Sequence, residues 1–441
     1  MKQNILKAHL LAAAWAVAAV APVTAADIAS AAINSPAASN QVTLDELVKE
    51  ASENNPELRF YEAEIQAAKA GRTSAGLLAN PELSAGVGQK TVRGSGLNAE
   101  GVAWAVSVVQ PFEWPGRLGL RKAIANRDIE LAELGYARFK VALAARMRVL
   151  AYGLFAAEEK ATTAREVAER FKALREVLVQ RDPAGLTPLL ETRVMEATEL
   201  NMLRKASEAA VATQAALLEL NQLRGVAPDA RLSVGQTQLA FRPAEPMETL
   251  LALARTNNFE LRVRAVELAQ QGFRVALAKN ERFPSISIGP TVSEENAFDR
   301  ERVIGVGVSL ALPLWNRNTA NIQVAKARQV QAETSFYVMQ REAERRVIEA
   351  AFTYETKLRE MAKWRPDAAE HFREAAEVAD RHYRLGAVPI STYVELQKQY
   401  LDAVEGLLDT KKEALEAAVQ LELLTGLPLP LSQTAATEEE K

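Results

Sequence analysis

The sequence predicts a mainly α-helical protein with a small membrane β-barrel component, built as an internally duplicated helix–β-hairpin–long helix unit. Three observations lead there. The phrase NNPELR at 54–59 returns as NNFELR at 257–262. Behind each copy lie two uncharged segments in which apolar and small residues alternate. Behind each such pair runs a very long stretch, 116–182 and 317–384, with no proline in the first and only Pro366 in the second.

The chain begins with an export signal. Lys2 and Lys7 give a positive start, Leu10 to Val23 is an uncharged Ala-rich core, and Val23-Thr24-Ala25 offers a small-residue cleavage site. As an N-terminal anchor the core is short of the ~18–20 apolar residues that a spanning helix needs. Residues 1–25 are therefore set aside as signal, with 26–41 as an N-terminal segment. There is no cysteine, which excludes disulfides, a thiolate metal site and a Cys-linked lipid. The 53 basic and 56 acidic residues nearly cancel, leaving no concentrated positive surface for nucleic acid.

The first repeat spans 42–225 and the second 246–426, joined by a connector at 226–245 and followed by a tail at 427–441. Each opens on a helical pattern, 42–78 and 246–282. Leu44, Leu47, Ala51 and Leu58 in the first, with Met247, Leu250, Ala254 and Leu261 in the second, make one apolar stripe at helical spacing. Pro81 and Pro284 then enforce extended chain.

The hairpins follow, at 80–112 and 283–314. Leu83, Ala85 and Val87 interleave with Ser84, Gly86 and Gly88, and Ile304, Val306, Val308 and Leu310 with Gly305, Gly307 and Ser309. Period two means strands, with one apolar face and one small or polar face. Gly101–Phe112, Phe283–Ser293 and Val303–Asn316 carry no charge, in a chain where 25% of residues are charged. Uncharged alternating segments of this length suit a tilted strand crossing a bilayer, although a soluble sheet packed on a core has the same pattern.

The long helices, 116–182 and 317–384, each reach roughly 100 Å at ~1.5 Å per residue. They end at Gly185 and Gly386, after which shorter helical patterns return over 189–224 and 390–424. The opening and returning helices together match the length of one long helix, so two short rods stacked end to end would lie beside one long rod. Four strands cannot close a barrel, for which about eight is the usual minimum, and hydrocarbon tolerates no open edge. Several chains would have to pool their strands; spacing alone leaves two copies and three copies open.

In this ordered set the chain resembles the TolC family of outer-membrane efflux proteins, over essentially the whole mature length. The carriers are NNPELR with ANPELS, QPFEWPGRLGLRKA (110–123), LPLWNRNTANIQVA (312–325) and YRLGAVPISTYVELQ (383–397). EWPGRLGLRKA is more similar to the heavy-metal branch. The resemblance implies a homotrimer whose twelve strands form an outer-membrane barrel, with loops at 89–100 and 293–302 outside the cell. It implies a periplasmic α-helical barrel and a small belt from 226–245 and the chain ends. It further implies an exit duct of a tripartite pump, partnered by outer-membrane lipid, a periplasmic adaptor protein and an inner-membrane efflux transporter.

By the same resemblance the tip turns, Gly185-Leu186-Thr187-Pro188 and Gly386-Ala387-Val388-Pro389, contact the adaptor. Glycine suits the left-handed residue that ends a helix, and proline suits the first turn of the next. The resemblance places a channel constriction at Glu191, Thr392 and Glu395. Thr392 departs from the carboxylate usual in the family, and Val388 stands where the best-known member has an arginine. Tyr383 matches a family tyrosine that hydrogen-bonds an acidic residue at the position of Glu191.

No catalytic chemistry is legible. His371 and His382 are too far apart on one helix for a zinc pair and read as surface residues; His9 lies in the signal. The seven methionines are scattered, and Gly94-Ser95-Gly96 reads as a turn between strands, not as a phosphate loop. No cofactor and no enzyme activity are expected. The alternatives to an efflux duct are a periplasmic coiled-coil scaffold or adhesin, and a secreted pore-forming protein.

Overall fold

The repeated asparagines sit where each opening helix breaks. In the computed structural model, which describes residues 42–94, 97–181, 189–235, 239–297, 299–364, 368–429 and 431–434, the first series is α1 (Leu44–Asn54), α2 (Glu57–Ala75), β1 (Glu82–Gly94), β2 (Leu97–Phe112), α3 (Arg117–Arg181) and α4 (Leu189–Arg224). After β3 (Leu239–Phe241) come α5 (Met247–Asn257), α6 (Phe259–Asn280), β4 (Ile286–Asn296), β5 (Arg300–Leu310), α7 (Thr319–Met361), α8 (Ala368–Arg384), α9 (Ile390–Thr425) and β6 (Ser432–Thr434). The signal 1–25, the segment 26–41 and the first tip turn, 185–188, lie outside the described residues.

Thus 42–78 and 246–282 are two helices each, not one. Proline is not the common cause, because the second copy has Phe259 where the first has Pro56. Both Asn55 and Asn258 are extended, with ψ near 124°. The Asn55 Oδ1 accepts from Glu57 N (2.9 Å) and the Asn258 Oδ1 from Leu261 N (3.1 Å), starting the next helix. Their Nδ2 groups donate to Leu223 O (2.8 Å) and Leu424 O (2.7 Å), orphan carbonyls at the ends of α4 and α9. One buried amide therefore satisfies two helix ends. Gly225 and Gly426, both at φ +70°, close α4 and α9 against the backbone of Asn54 and Asn257. The phrases NNPEL and LRG, remote in sequence, meet here, and NNFEL meets LTG in the same way.

The second long helix is also interrupted: 317–384 becomes α7 and α8, with Pro366 among the undescribed residues 365–367. A proline inside a helix lacks the N–H and clashes with the preceding turn, so α3, free of proline, runs on where its counterpart stops. Entry to both long helices needs a left-handed residue, Gly116 (φ +88°) in one case and Asn318 (φ 57°) in the other. Asn318 holds this conformation with its Nδ2 donating to Ala278 O (2.8 Å), and Arg117 anchors the first entry through Phe283 O (2.6 Å).

The four strands form one antiparallel sheet in the order β1-β2-β4-β5, so the two hairpins join through β2 and β4. At that seam Gly289 is obligatory, since a Cβ would overlap the Val108 carbonyl, and Gly101 faces Asn296 in the same way. The strands run further than a loop over 89–100 would allow. Pairing continues from Lys90↔Gly101 to Gly94↔Leu97 and, in the other hairpin, to Asn296↔Arg300. Charged side chains end an apolar face but do not end a backbone ladder, which explains the difference.

The helices follow the same lateral order as the strands. Beside the sheet α3 packs on α2 and α6, and α6 on α7; toward the other end α3 packs on α4 and α9, and α9 on α7 and α8. The stripe residues Leu47, Ala51, Leu250 and Ala254 are fully buried against α3 and α4 or against α7 and α9. There β3 pairs with β6 and Val42 bridges Val234, so the connector and C-terminal segment fold together. The Tyr354 hydroxyl lies 2.6 Å from Arg242 O and 3.0 Å from Leu431 O, fastening this small sheet to α7.

Candidate functional site

Register fixes the two faces of the four-stranded sheet. Leu83 pairs Val108, Val106 pairs Val292, and Val292 pairs Ile304, all on one side. That side is apolar and exposed: Leu83, Val87, Ile304 and Val306 each leave 73% or more of their surface uncovered. Burying these side chains would stabilise by ~25 cal/mol per Å², so an uncovered face of this size demands an apolar surrounding. The opposite side carries small and polar groups, with Ser84 and Ser107 hydroxyls 2.7 Å apart. On it Lys90 stretches from β1 across β2 to Glu295 (2.7 Å) and Glu301 (3.3 Å). The outer edges of β1 and β5 have no strand partner among the described residues.

At the far end α3, α4, α8 and α9 converge on one core, which includes Phe171, Met195, Ala376, Tyr393 and Leu401. Tyr393 is fully buried, stacked on Tyr383 (centroids 5.3 Å) and edge-on to Phe171 (5.3 Å). The Tyr383 hydroxyl donates to Glu191 Oε2 (3.2 Å), tying the end of α8 to the start of α4. Burial, followed by the charge of Glu191, pushes the Tyr383 hydroxyl up to about 12, so it stays a donor throughout the physiological range. Thr392 and Glu395 are exposed on the first turns of α9, and Glu395 Oε1 accepts from Gln399 Nε2 (2.7 Å). The structure thus brings Tyr383 and Glu191 together and leaves Thr392 and Glu395 on a free surface of the single chain.

The second tip turn is a backbone cap on the end of α8. Gly386 N donates to Tyr383 O (2.9 Å) and Ala387 N to His382 O (2.9 Å), with Gly386 left-handed at φ +73°. Pro389 stands at the N-cap of α9, one residue before the first turn where its residue type suggested it would sit. Leu385 is 80% exposed beside Gly386 and Ala387. Sequence reasoning overlooked Tyr393 and Gln397, whose Nε2 donates to Ala376 O (2.8 Å) and locks α9 to α8. Their only signal was a spacing of four on the face that Tyr400 and Leu401 continue. His371 and His382 are both exposed on α8.

A helical chain with paired hairpins, an outward apolar sheet face and a polar helical tip defines an outer-membrane channel. Residues 250–427 match the profile of the family described as outer membrane efflux protein. The cobalt-zinc-cadmium resistance protein CzcC of Cupriavidus metallidurans is 23% identical over 291 residues, covering 65% of this chain and 67% of the relative. The crystal structure of CusC superposes with a TM-score of 0.69 at 16% identity, over 88% of this chain and 93% of that one. The Campylobacter jejuni outer membrane channel CmeC gives 0.67 at 16% identity, over 87% and 85%. In sequence over residues 250–427, and in fold over most of its length, the chain is similar to the TolC family of outer-membrane efflux proteins. It is the outer-membrane channel component of a tripartite efflux system, extends into the periplasm, and is not an enzyme.

Proposed function

We propose that three copies close into one continuous duct, with twelve strands in the outer membrane and the helices forming a hollow periplasmic barrel. The observation that carries this is the shared lateral order of strands and helices, open on both sides at every level. The β1 edge of one copy would pair with the β5 edge of the next, a head-to-tail contact that must close into a ring. The helix edges agree. Leu200 and Val211 on α4, and Val338 and Phe352 on α7, are all more than half exposed and would be covered by the neighbouring copy. The two consecutive series of elements then act as two structural repeats per chain.

In this duct the apolar sheet face meets lipid and the small face lines the lumen. Glu191, Tyr383, Thr392 and Glu395 would form the closed periplasmic constriction, where three Glu395 carboxylates near the axis attract cations and repel one another. The turns 185–188 and 386–389 would receive the adaptor, with Leu385 beside the second turn adding an apolar contact. The duct itself holds no energy source; the inner-membrane transporter supplies it. The match to a cobalt-zinc-cadmium resistance protein favours metal cations as cargo. A dedicated metal site in this component is not required, because a cation could pass down a water-filled, weakly acidic lumen.

Light-scattering mass of the detergent-solubilised protein tests the assembly: three chains are expected, and a monomer that is soluble without amphiphile would end the proposal. Single-channel recording then tests the constriction. Glu395→Gln should lower cation preference and relieve blockade by multivalent cations, whereas unchanged values would remove Glu395 from the role.

A further inference from the structure

The apolar face of the sheet ends in a charged cluster that the duct does not use. Glu294, on β4, lies on that face in register with Trp104 and Arg302. It is 6% exposed although it faces outward, because two arginines from β5 cover it. Arg300 donates through Nε to Oε1 (2.7 Å), and Arg302 donates through Nε (3.1 Å) and Nη2 (2.9 Å) to Oε2. The guanidiniums themselves remain 65% and 56% exposed. Both Nη groups of Arg300 and Nη1 of Arg302 have no hydrogen-bond partner among the described residues. Two fixed cations share one carboxylate, so the cluster carries a net positive charge.

Its position gives the cluster its meaning. From Ile286 to Val292 the face is apolar, and Glu294 begins the charged rows next to the β4–β5 turn. Along a strand at ~3.3 Å per residue, tilted as barrel strands are, this is the upper boundary of a hydrocarbon band. A guanidinium at that depth is costly unless an anion meets it, and phosphates are the anions that line this boundary. Arginine's planar fork suits a phosphate better than an ammonium would, and the buried Glu294 holds both forks by their inner edges, with the outer donors left toward lipid.

We propose that Arg300 and Arg302, positioned by Glu294, bind the phosphate of an outer-leaflet lipid headgroup. The site anchors the sheet at a fixed depth and marks the second hairpin as its lipid-recognising edge. It rests on the reading that this sheet spans the outer membrane.

The test uses the full-length protein reconstituted in phosphatidylcholine vesicles that carry either phosphorylated lipid A or its dephosphorylated form. After detergent extraction, lipid A retained per protein is counted by mass spectrometry. The native protein should retain the phosphorylated form at about tenfold the level of the dephosphorylated one, the worth of one charge-assisted contact pair. The variant Glu294→Gln/Arg300→Gln/Arg302→Gln, which leaves no uncompensated charge, should insert equally well and retain both forms alike. Equal retention of the two forms by the native protein, or undiminished preference in the variant, overturns the proposal. Failure of the native protein to enter vesicles at all overturns the membrane reading beneath it.

Discussion

Replacing Gly426 by alanine tests the central joint of the fold. Gly426 sits at φ +70°, where an L-residue other than glycine costs about 1–2 kcal/mol. A Cβ there would overlap the Asn257 carbonyl oxygen, lie 2.7 Å from its carbon and 3.1 Å from the Asn257 Cβ. None of these is the far end of a flexible side chain, so the Asn257–Asn258 backbone must retreat. Retreat stretches the Asn258 Nδ2 to Leu424 O bond of 2.7 Å and strands a buried amide and a buried carbonyl, a further loss of roughly 1–3 kcal/mol. The sum is about 2–5 kcal/mol. Two glycines serve as controls. Gly386, at φ +73° with open space around its Cβ direction, should lose only the backbone part on change to alanine. Gly272, mid-helix in α6 with nothing near, should gain about 0.5–1 kcal/mol. Urea unfolding followed by helical circular dichroism, in detergent at fixed protein concentration, gives the midpoints. If Gly426→Ala falls no further than Gly386→Ala, steric closure between the repeated phrases is not what makes the glycine necessary.

Glu422 carries a pH prediction. Burial, only partly offset by Arg148 at 3.2 Å and the Leu429 backbone, raises its carboxyl to about 7 from 4.5. The folded state then binds more protons than the unfolded chain between those values, so this group's contribution falls as pH rises from ~4.5 through ~7, by on the order of 3 kcal/mol. Glu422→Gln should accordingly raise the melting temperature at pH 8 and leave it nearly unchanged at pH 4; an equal shift at both would contradict the sign. Tyr383→Phe removes a partly exposed bond to a carboxylate, worth ~1 kcal/mol per chain, and the proposed three-chain duct should leak more, read as higher resting conductance in planar bilayers. Unchanged conductance would make that bond structural only. Gly289→Val should abolish outer-membrane insertion, because its side chain would overlap the Val108 carbonyl at the seam of the hairpins, and fractionation would detect it.

Much of the helix and strand content was legible because it is written in local periodicity. Leu44, Leu47 and Ala51 repeat at helical spacing and are buried; Leu83, Ala85 and Val87 alternate and form one side of a strand. The pairing of Tyr383 with Glu191 followed from a family resemblance, since neither residue is distinctive alone. Hidden from such reading were the breaks at Asn55 and Asn258. An asparagine in a helical pattern either tolerates the helix or ends it, and here a carbonyl from a helix far away in the chain decides.

What the sequence determined by itself is therefore the set of rods and staves: which stretches are helical and which alternate without charge. Tertiary structure alone decided that the hairpins join through β2 and β4, that NNPEL and LRG meet, and that Glu294 is covered by two arginines at the end of the apolar sheet face. The physical reason is range. Periodicity reports a residue's preference for one side of its own element, whereas a satisfied carbonyl, a glycine-tight approach or a buried ion pair depends on a partner that only folding brings within 3 Å or so.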